Sequence, residues 1–124
     1  RHRLSKARMR RVNEVLRQVI SDAITNDLSD PHLEMATVTS VDTTPDLRHA
    51  KVYFTVLGDE EAKAEALKRL KRAHSLLQGN VAAETRMKRT PTLAFEYDES
   101  IESGMRIDAL LAESEPASGQ GETE

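Results

Sequence analysis

Positive charge arrives in three groups along this chain of 124 residues. The first is Arg1, Arg3, Lys6, Arg8, Arg10, Arg11 and Arg17, set against one acid, Glu14. The second is Lys68, Arg69, Lys71 and Arg72, and the third is Arg86, Lys88 and Arg89. Cations gathered on one surface suit phosphate, because each contact releases counterions and so contributes affinity. The candidate contacts are Lys6, Arg10, Arg11 and Arg17 in the first group, Lys68, Lys71 and Arg72 in the second, and Arg86, Lys88 and Arg89 in the third. Local roles compete with that reading. Arg86, Lys88 and Arg89 could favour a helix C-terminus, and Lys68 and Arg69 could pair with Glu65 and Glu61.

Other chemistry finds little support. There is no cysteine, which excludes disulfides, thiolate metal sites and thiol nucleophiles, and fits a cytoplasmic protein. His2, His32, His49 and His74 are scattered without metal-ligand spacing. No nucleophile elbow and no glycine-rich phosphate loop occurs, so neither catalysis nor a cofactor is expected. Asp98, Glu99 and Glu102 have no partner base and read as a solvated loop. With aromatics at 3%, base stacking is a poor candidate for the main mode of recognition, and Phe54 and Phe95 read as core. Tyr53, alternating with Phe54, faces the other way.

The charged fraction of 31% and hydrophobic fraction of 38% describe a hydrated globule of one domain. No apolar run approaches the ~18 residues a membrane span needs, and no apolar stretch follows the basic start as in a signal peptide. The net charge of -3 hides strong segregation, since Arg106 is the one basic residue from Glu96 onward.

The elements that must carry the cations follow from periodicity. From about Ser5 to Leu28, Val12, Val15, Leu16, Val19, Ile20 and Ala23 recur at helical spacing. Lys6, Arg10, Asn13 and Arg17 share another face, roughly opposite. Asp30-Pro31 ends this helix. Ala36 to Asp42 and Ala50 to Leu57 read as strands of a hairpin around Thr44-Pro45-Asp46. Asp59 to Gln78 reads as a second helix, with Ala66, Leu67, Leu70, Ala73 and Leu77 inward and Lys68, Lys71 and Arg72 outward. Gly79-Asn80 interrupts it, a short helix resumes from Val81 to Lys88, and Pro91 precedes a third strand. Residues 98–111 read as an ordered extension and residues 112–124 as a disordered acidic tail. The order α-β-β-α-α-β predicts an α+β fold, with a three-stranded mixed sheet and helices packed on one face.

That order is the order of a type II KH-like fold, and three stretches resemble one family closely. They are Asp30-Pro31 with Thr37-Val38-Thr39-Ser40-Val41, then Asp46-Leu47-Arg48-His49-Ala50-Lys51-Val52-Tyr53, then Pro91 through Ser100 continuing in Gly104-Met105-Arg106-Ile107 to Leu110-Leu111. The chain resembles bacterial ribosome-binding factor A from about Ser5 to Leu111. The resemblance implies a KH-like RNA-binding domain over residues 1–111. It implies a factor that binds the immature small (30S) ribosomal subunit and 16S rRNA, aids late maturation and 5′-end processing of 16S rRNA, and supports growth in the cold. An ordinary KH domain clamps RNA with a Gly-x-x-Gly loop. None occurs here. The family has an Ala-x-Gly kink between the helices, aligned with Ala73, His74 and Ser75, so the glycine is a serine. Either the kink persists at Ser75 or it has moved to Gly79.

Three functions remain in view: an RNA-binding assembly factor, a module whose positive surface meets acidic proteins, and a small enzyme. The missing catalytic constellation puts the enzyme last. The assembly-factor reading carries no cofactor, metal, membrane or small-molecule substrate with it, and the lack of a spare apolar face favours a monomer.

Overall fold

A computed structural model describes residues 5–100; the C-terminal extension beyond Ser100 and the acidic tail lie outside the described residues. The elements are α1 (Lys6–Ala23), β1 (Ala36–Thr43), β2 (His49–Val56), α2 (Glu60–Arg72), α3 (His74–Thr85) and β3 (Thr92–Tyr97). The sheet order is β1-β2-β3, with β1 antiparallel and β3 parallel to the central strand. This is the α+β, type II KH-like arrangement that the sequence pattern predicts.

Capping sets the helix starts. Ser5 accepts from the Arg8 backbone N–H, and Asp59 accepts from that of Ala62. Past Ala23 the chain continues as one wider π-helical turn, Ile24–Leu28. It then breaks at Ser29, which adopts a left-handed φ of 50° ahead of Asp30-Pro31. The inward faces of β2 (Ala50, Val52, Phe54, Val56) and β3 (Leu93, Phe95) bury against Leu16 and Ile20 of α1, Leu70 of α2, and Leu77 and Val81 of α3. The opposite face, with Lys51, Glu96 and Ala94, is exposed.

β1 breaks strict alternation. Val38 pairs with Phe54 but Ser40 with Tyr53, so Thr39 is an extra residue in a bulge. That shift keeps Val38, Val41 and Thr43 all inward. The Thr39 hydroxyl donates to the Asp98 carboxylate at 2.5 Å, and the backbone N–H and hydroxyl of Ser100 donate to the other Asp98 oxygen. Asp98 is therefore not in a solvated loop as the sequence suggested. It is 9% exposed and ties the end of β3 to the β1 bulge.

The helical crossover also differs from expectation. The break falls at Ala73, and α3 runs unbroken through Gly79-Asn80 and stops at Thr85. Ala73 has φ -87° and ψ 10°, a negative φ that tolerates a Cβ, so a serine at 75 is no obstacle to the bend. Gly79 sits mid-helix, and a Cβ added there meets nothing within 4 Å. Gly58 is the opposite case: its φ is 140°, and an added Cβ would lie 2.6 Å from that of Ala62. Gly79→Ala should stabilise the protein by about 0.5–1 kcal/mol, and Gly58→Ala should destabilise it by about 1 kcal/mol or more. Urea unfolding midpoints of the two variants test this; a Gly79→Ala protein less stable than wild type would contradict the surface placement of that residue.

Candidate nucleic-acid interface

The cations divide by whether the protein itself has claimed them. Arg69 is held twice, by Glu65 at 2.7 Å and by the Asp30 carboxylate at 3.1 Å. Arg17 donates two hydrogen bonds to Glu14, at 3.0 and 2.5 Å. Arg48 lies 3.8 Å from Asp46, and Lys51 3.6 Å from Glu96. Among the described residues, Lys6, Arg8, Arg10, Arg11, Lys68, Lys71, Arg72, Arg86, Lys88 and Arg89 have no ion pair, and all are exposed. Arg17 is thus the one candidate contact already engaged. Arg8, which the sequence pattern alone does not single out, belongs with Arg11, three residues along the same helix face.

The fold does not bring these groups onto one face. Arg10, Asn13 and Arg17 flank the sheet, because they line a groove of about 380 Å³ with Thr39, Ser40 and Val41 of β1. The Asn13 side chain accepts from the Thr43 backbone N–H at 3.0 Å, which covers a donor on the sheet edge. That face of α1 lies beside the apolar stripe and not opposite it. α3 packs antiparallel to α1: Asn80 donates to Asp27 near the end of the first helical segment, and Glu84 shares a groove with Val19 and Asp22. The chain therefore leaves α3 at Arg86 heading toward the N-terminal half of α1. Arg72 instead lines a groove with Leu28 and Asp30, past the end of α1. At 1.5 Å per residue, Leu28 is about 27 Å along the helix from Arg10. Lys68, Lys71 and Arg72 therefore stand apart from the cations at the start of α1, and Arg86, Lys88 and Arg89 follow the opposite end of α3 from them.

The kink residues serve the sheet. His74 Nε2 donates to the Leu93 carbonyl at 3.1 Å. One turn on, Gln78 donates to the Pro91 carbonyl at 2.6 Å and accepts from the Leu93 N–H at 3.1 Å. Two side chains thus satisfy the outer edge of β3, where a strand would otherwise present bare backbone. Ser75 is exposed in the first turn of α3. Of the aromatics, Phe54 and Phe95 are core, and Tyr97 packs edge-on to Phe54 with its ring centroid 5.7 Å away. The Lys63 ammonium sits 4.6 Å from the Tyr97 ring centroid, which further ties that ring to the fold. Tyr53 is half-buried on the other face of the sheet. None of the four aromatics offers an open stacking platform on α3.

The model of the family described as ribosome-binding factor A matches residues 8–111. The chain belongs to the ribosome-binding factor A family. A family member from Clostridium botulinum (strain Okra / Type B1) is 41% identical over 109 residues, covering 87% of this chain and 91% of its own. The crystal structure of ribosome-binding factor A from Thermus thermophilus is 31% identical, with a TM-score of 0.63, covering 75% of this chain and 94% of that one. A Thermus thermophilus family model fitted into a cryo-EM map of a complex with 30S is also 31% identical, with a TM-score of 0.60, covering 70% of this chain and 91% of that one.

Asp30 links this family fold to acidity. Burial acts to raise its carboxyl pKa, but the His32 backbone N–H and the Arg69 guanidinium outweigh that and hold it below the ordinary aspartate range. Arg69 lowers Glu65 likewise. A carboxyl depressed in the folded state lends stability above its unfolded pKa, and that stability drains as pH falls through the folded value. Wild-type stability should therefore decline as pH drops below about 4. Asp30→Asn should be less stable at neutral pH and show a flatter acid limb. Urea midpoints measured from neutral to acid check this, and parallel curves for the two proteins would remove Asp30 as a stabilising acid.

Proposed function

We propose that this chain is a non-catalytic assembly factor that binds the immature small (30S) ribosomal subunit through 16S rRNA backbone. The observation that carries the reading is the set of unpaired cations on the start of α1 and on residues 86–89. They are exposed, and no carboxylate of the described residues neutralises them. Family membership adds that a relative has been fitted into a map of a complex with 30S. Residues 1–111 form the binding unit in this reading, with 112–124 as an acidic tail outside it. Recognition rests on RNA shape and charge, because the fold lacks a Gly-x-x-Gly clamp and accessible aromatic platforms. The finer role is late subunit maturation, with 5′-end processing of 16S rRNA and growth in the cold, carried out by a cytoplasmic monomer.

The decisive experiment is co-sedimentation with mature small subunits, immature small subunits and large subunits, at low and moderate salt. Arg10→Glu combined with Arg11→Glu should weaken small-subunit binding by about tenfold or more while leaving the unfolding midpoint unchanged, and should reduce the salt slope by roughly two. Arg48→Glu, whose partner is Asp46, should bind as wild type. Equal sedimentation with every particle, or survival of binding after ribonuclease digestion, would replace RNA with an acidic protein as the partner.

A further inference from the structure

The two cationic groups outside α1 flank one helix, α3. Lys68, Lys71 and Arg72 immediately precede α3, and Arg86, Lys88 and Arg89 immediately follow it. At 1.5 Å per residue, Arg72 and Arg86 stand roughly 20 Å apart along the chain's helical path. Between them the outer face of α3 presents Ser75, Leu76, Gly79, Ala82 and Ala83, all exposed and none charged. Leu76 is 45% exposed, so this face has no cover among the described residues.

Two positions on this helix run against their local preference. Gly79 occupies a mid-helix site where a Cβ meets nothing within 4 Å and alanine would serve the helix better. Arg86 ends the helix at φ 56°, a left-handed position where glycine is the favoured residue. The chain carries a glycine where the fold wants a side chain, and a charged side chain where the fold wants glycine. Departures of this kind mark sites kept for something other than stability. A smooth, neutral ridge with cations at both ends is complementary to a shallow groove walled by two rows of phosphate.

We infer that α3 lies across the minor groove of an A-form RNA duplex, with Lys71 and Arg72 on the phosphates of one strand and Arg86, Lys88 and Arg89 on those of the other. This rests on the RNA-binding reading above and names the RNA element. The A-form minor groove is wide and shallow and displays 2′-hydroxyls, whereas the A-form major groove is too deep and narrow to admit side chains. In B-form DNA the minor groove is only about 6 Å wide, too narrow for a helix roughly 10 Å across. A single strand would call for stacking surfaces, and this face has none. Gly79 lets the helix backbone approach the groove floor, and the Ser75 hydroxyl is placed to meet a 2′-hydroxyl.

The test is binding of the full chain to a short RNA duplex, the DNA duplex of the same sequence and the RNA single strand. The duplex RNA should bind at least about tenfold more tightly than either of the others. Gly79→Gln places a long neutral side chain on the ridge without disturbing the fold. It should lose about tenfold or more in duplex binding at an unfolding midpoint equal to or above that of wild type. Lys71→Glu with Arg72→Glu, and separately Lys88→Glu with Arg89→Glu, should each weaken duplex binding. If DNA or single-stranded RNA binds as well as duplex RNA, or if Gly79→Gln binds duplex as wild type does, the α3 assignment is overturned. Continued wild-type sedimentation with small subunits would then leave the RNA-binding reading standing. Wild-type failure to bind either duplex or subunit would remove both.

Discussion

Run as a single helix, the chain from Glu60 to Thr85 would extend about 39 Å, against about 26 Å for strands of eight residues. A straight crossover would overshoot the sheet and leave half its apolar residues in water. The bend at Ala73 removes that mismatch. It lets Ala66 and Leu70 of α2 cover β2 and β3, then turns the chain so that Leu77 and Val81 of α3 meet α1. The same bend brings His74 and Gln78 over the outer edge of β3, where they take up the backbone groups of Pro91 and Leu93. One local conformation thereby closes the core and protects an edge strand. It also fixes where the cations that flank α3 must stand.

Those cations owe their separate fates to position on the helix, not to residue type. Arg69 and Arg72 are three residues apart on α2. Arg69 reaches Glu65 on its own helix and Asp30 on the segment that links α1 to β1. Its charge is spent on joining two parts of the fold. Arg72, in the last turn, has no carboxylate within ion-pair distance among the described residues. An exposed ion pair contributes little stability by itself, but it withdraws an arginine from any contest for phosphate. The presence or absence of a local acid is thus the feature that sorts this chain's basic residues into structural and available ones.

Much of this was legible in the sequence because it depends on short-range patterns. The α1 stripe from Val12 to Ala23, the alternation of Ala50, Val52, Phe54 and Val56, and the stop at Asp30-Pro31 are set within a few residues of each other. The misses share a different origin. The Thr39 bulge is visible only when β1 is laid against β2, and the burial of Asp98 follows from that bulge. The sequence placed an interruption at Gly79 because glycine is a weak helix former, but tertiary packing of Leu77 and Val81 on either side overrides that local weakness. Placing Lys6, Arg10 and Arg17 opposite the apolar face overlooked that a helix resting on a sheet edge has two flanks. Their separation from Lys68, Lys71 and Arg72 depends on how α1 and α2 lie across the sheet, and no spacing along the chain encodes it.

A chain of net charge -3 has no overall attraction for a polyanion, so the contacts proposed above would have to act at short range. At physiological ionic strength, charges farther apart than about 8 Å are largely screened from one another. A phosphate beside Arg86 or Arg10 responds to those guanidinium groups far more than to distant carboxylates. The acids nonetheless constrain the encounter. Asp22, Asp27 and Glu84 border one groove between α1 and α3, and Glu60 and Glu61 open α2. Each would face phosphate if the molecule approached in a wrong orientation, and like-charge contact then opposes binding. In the proposed RNA-binding reading, local attraction at the ends of α3 and the start of α1, set between acidic flanks, would select an orientation instead of adding nonspecific affinity.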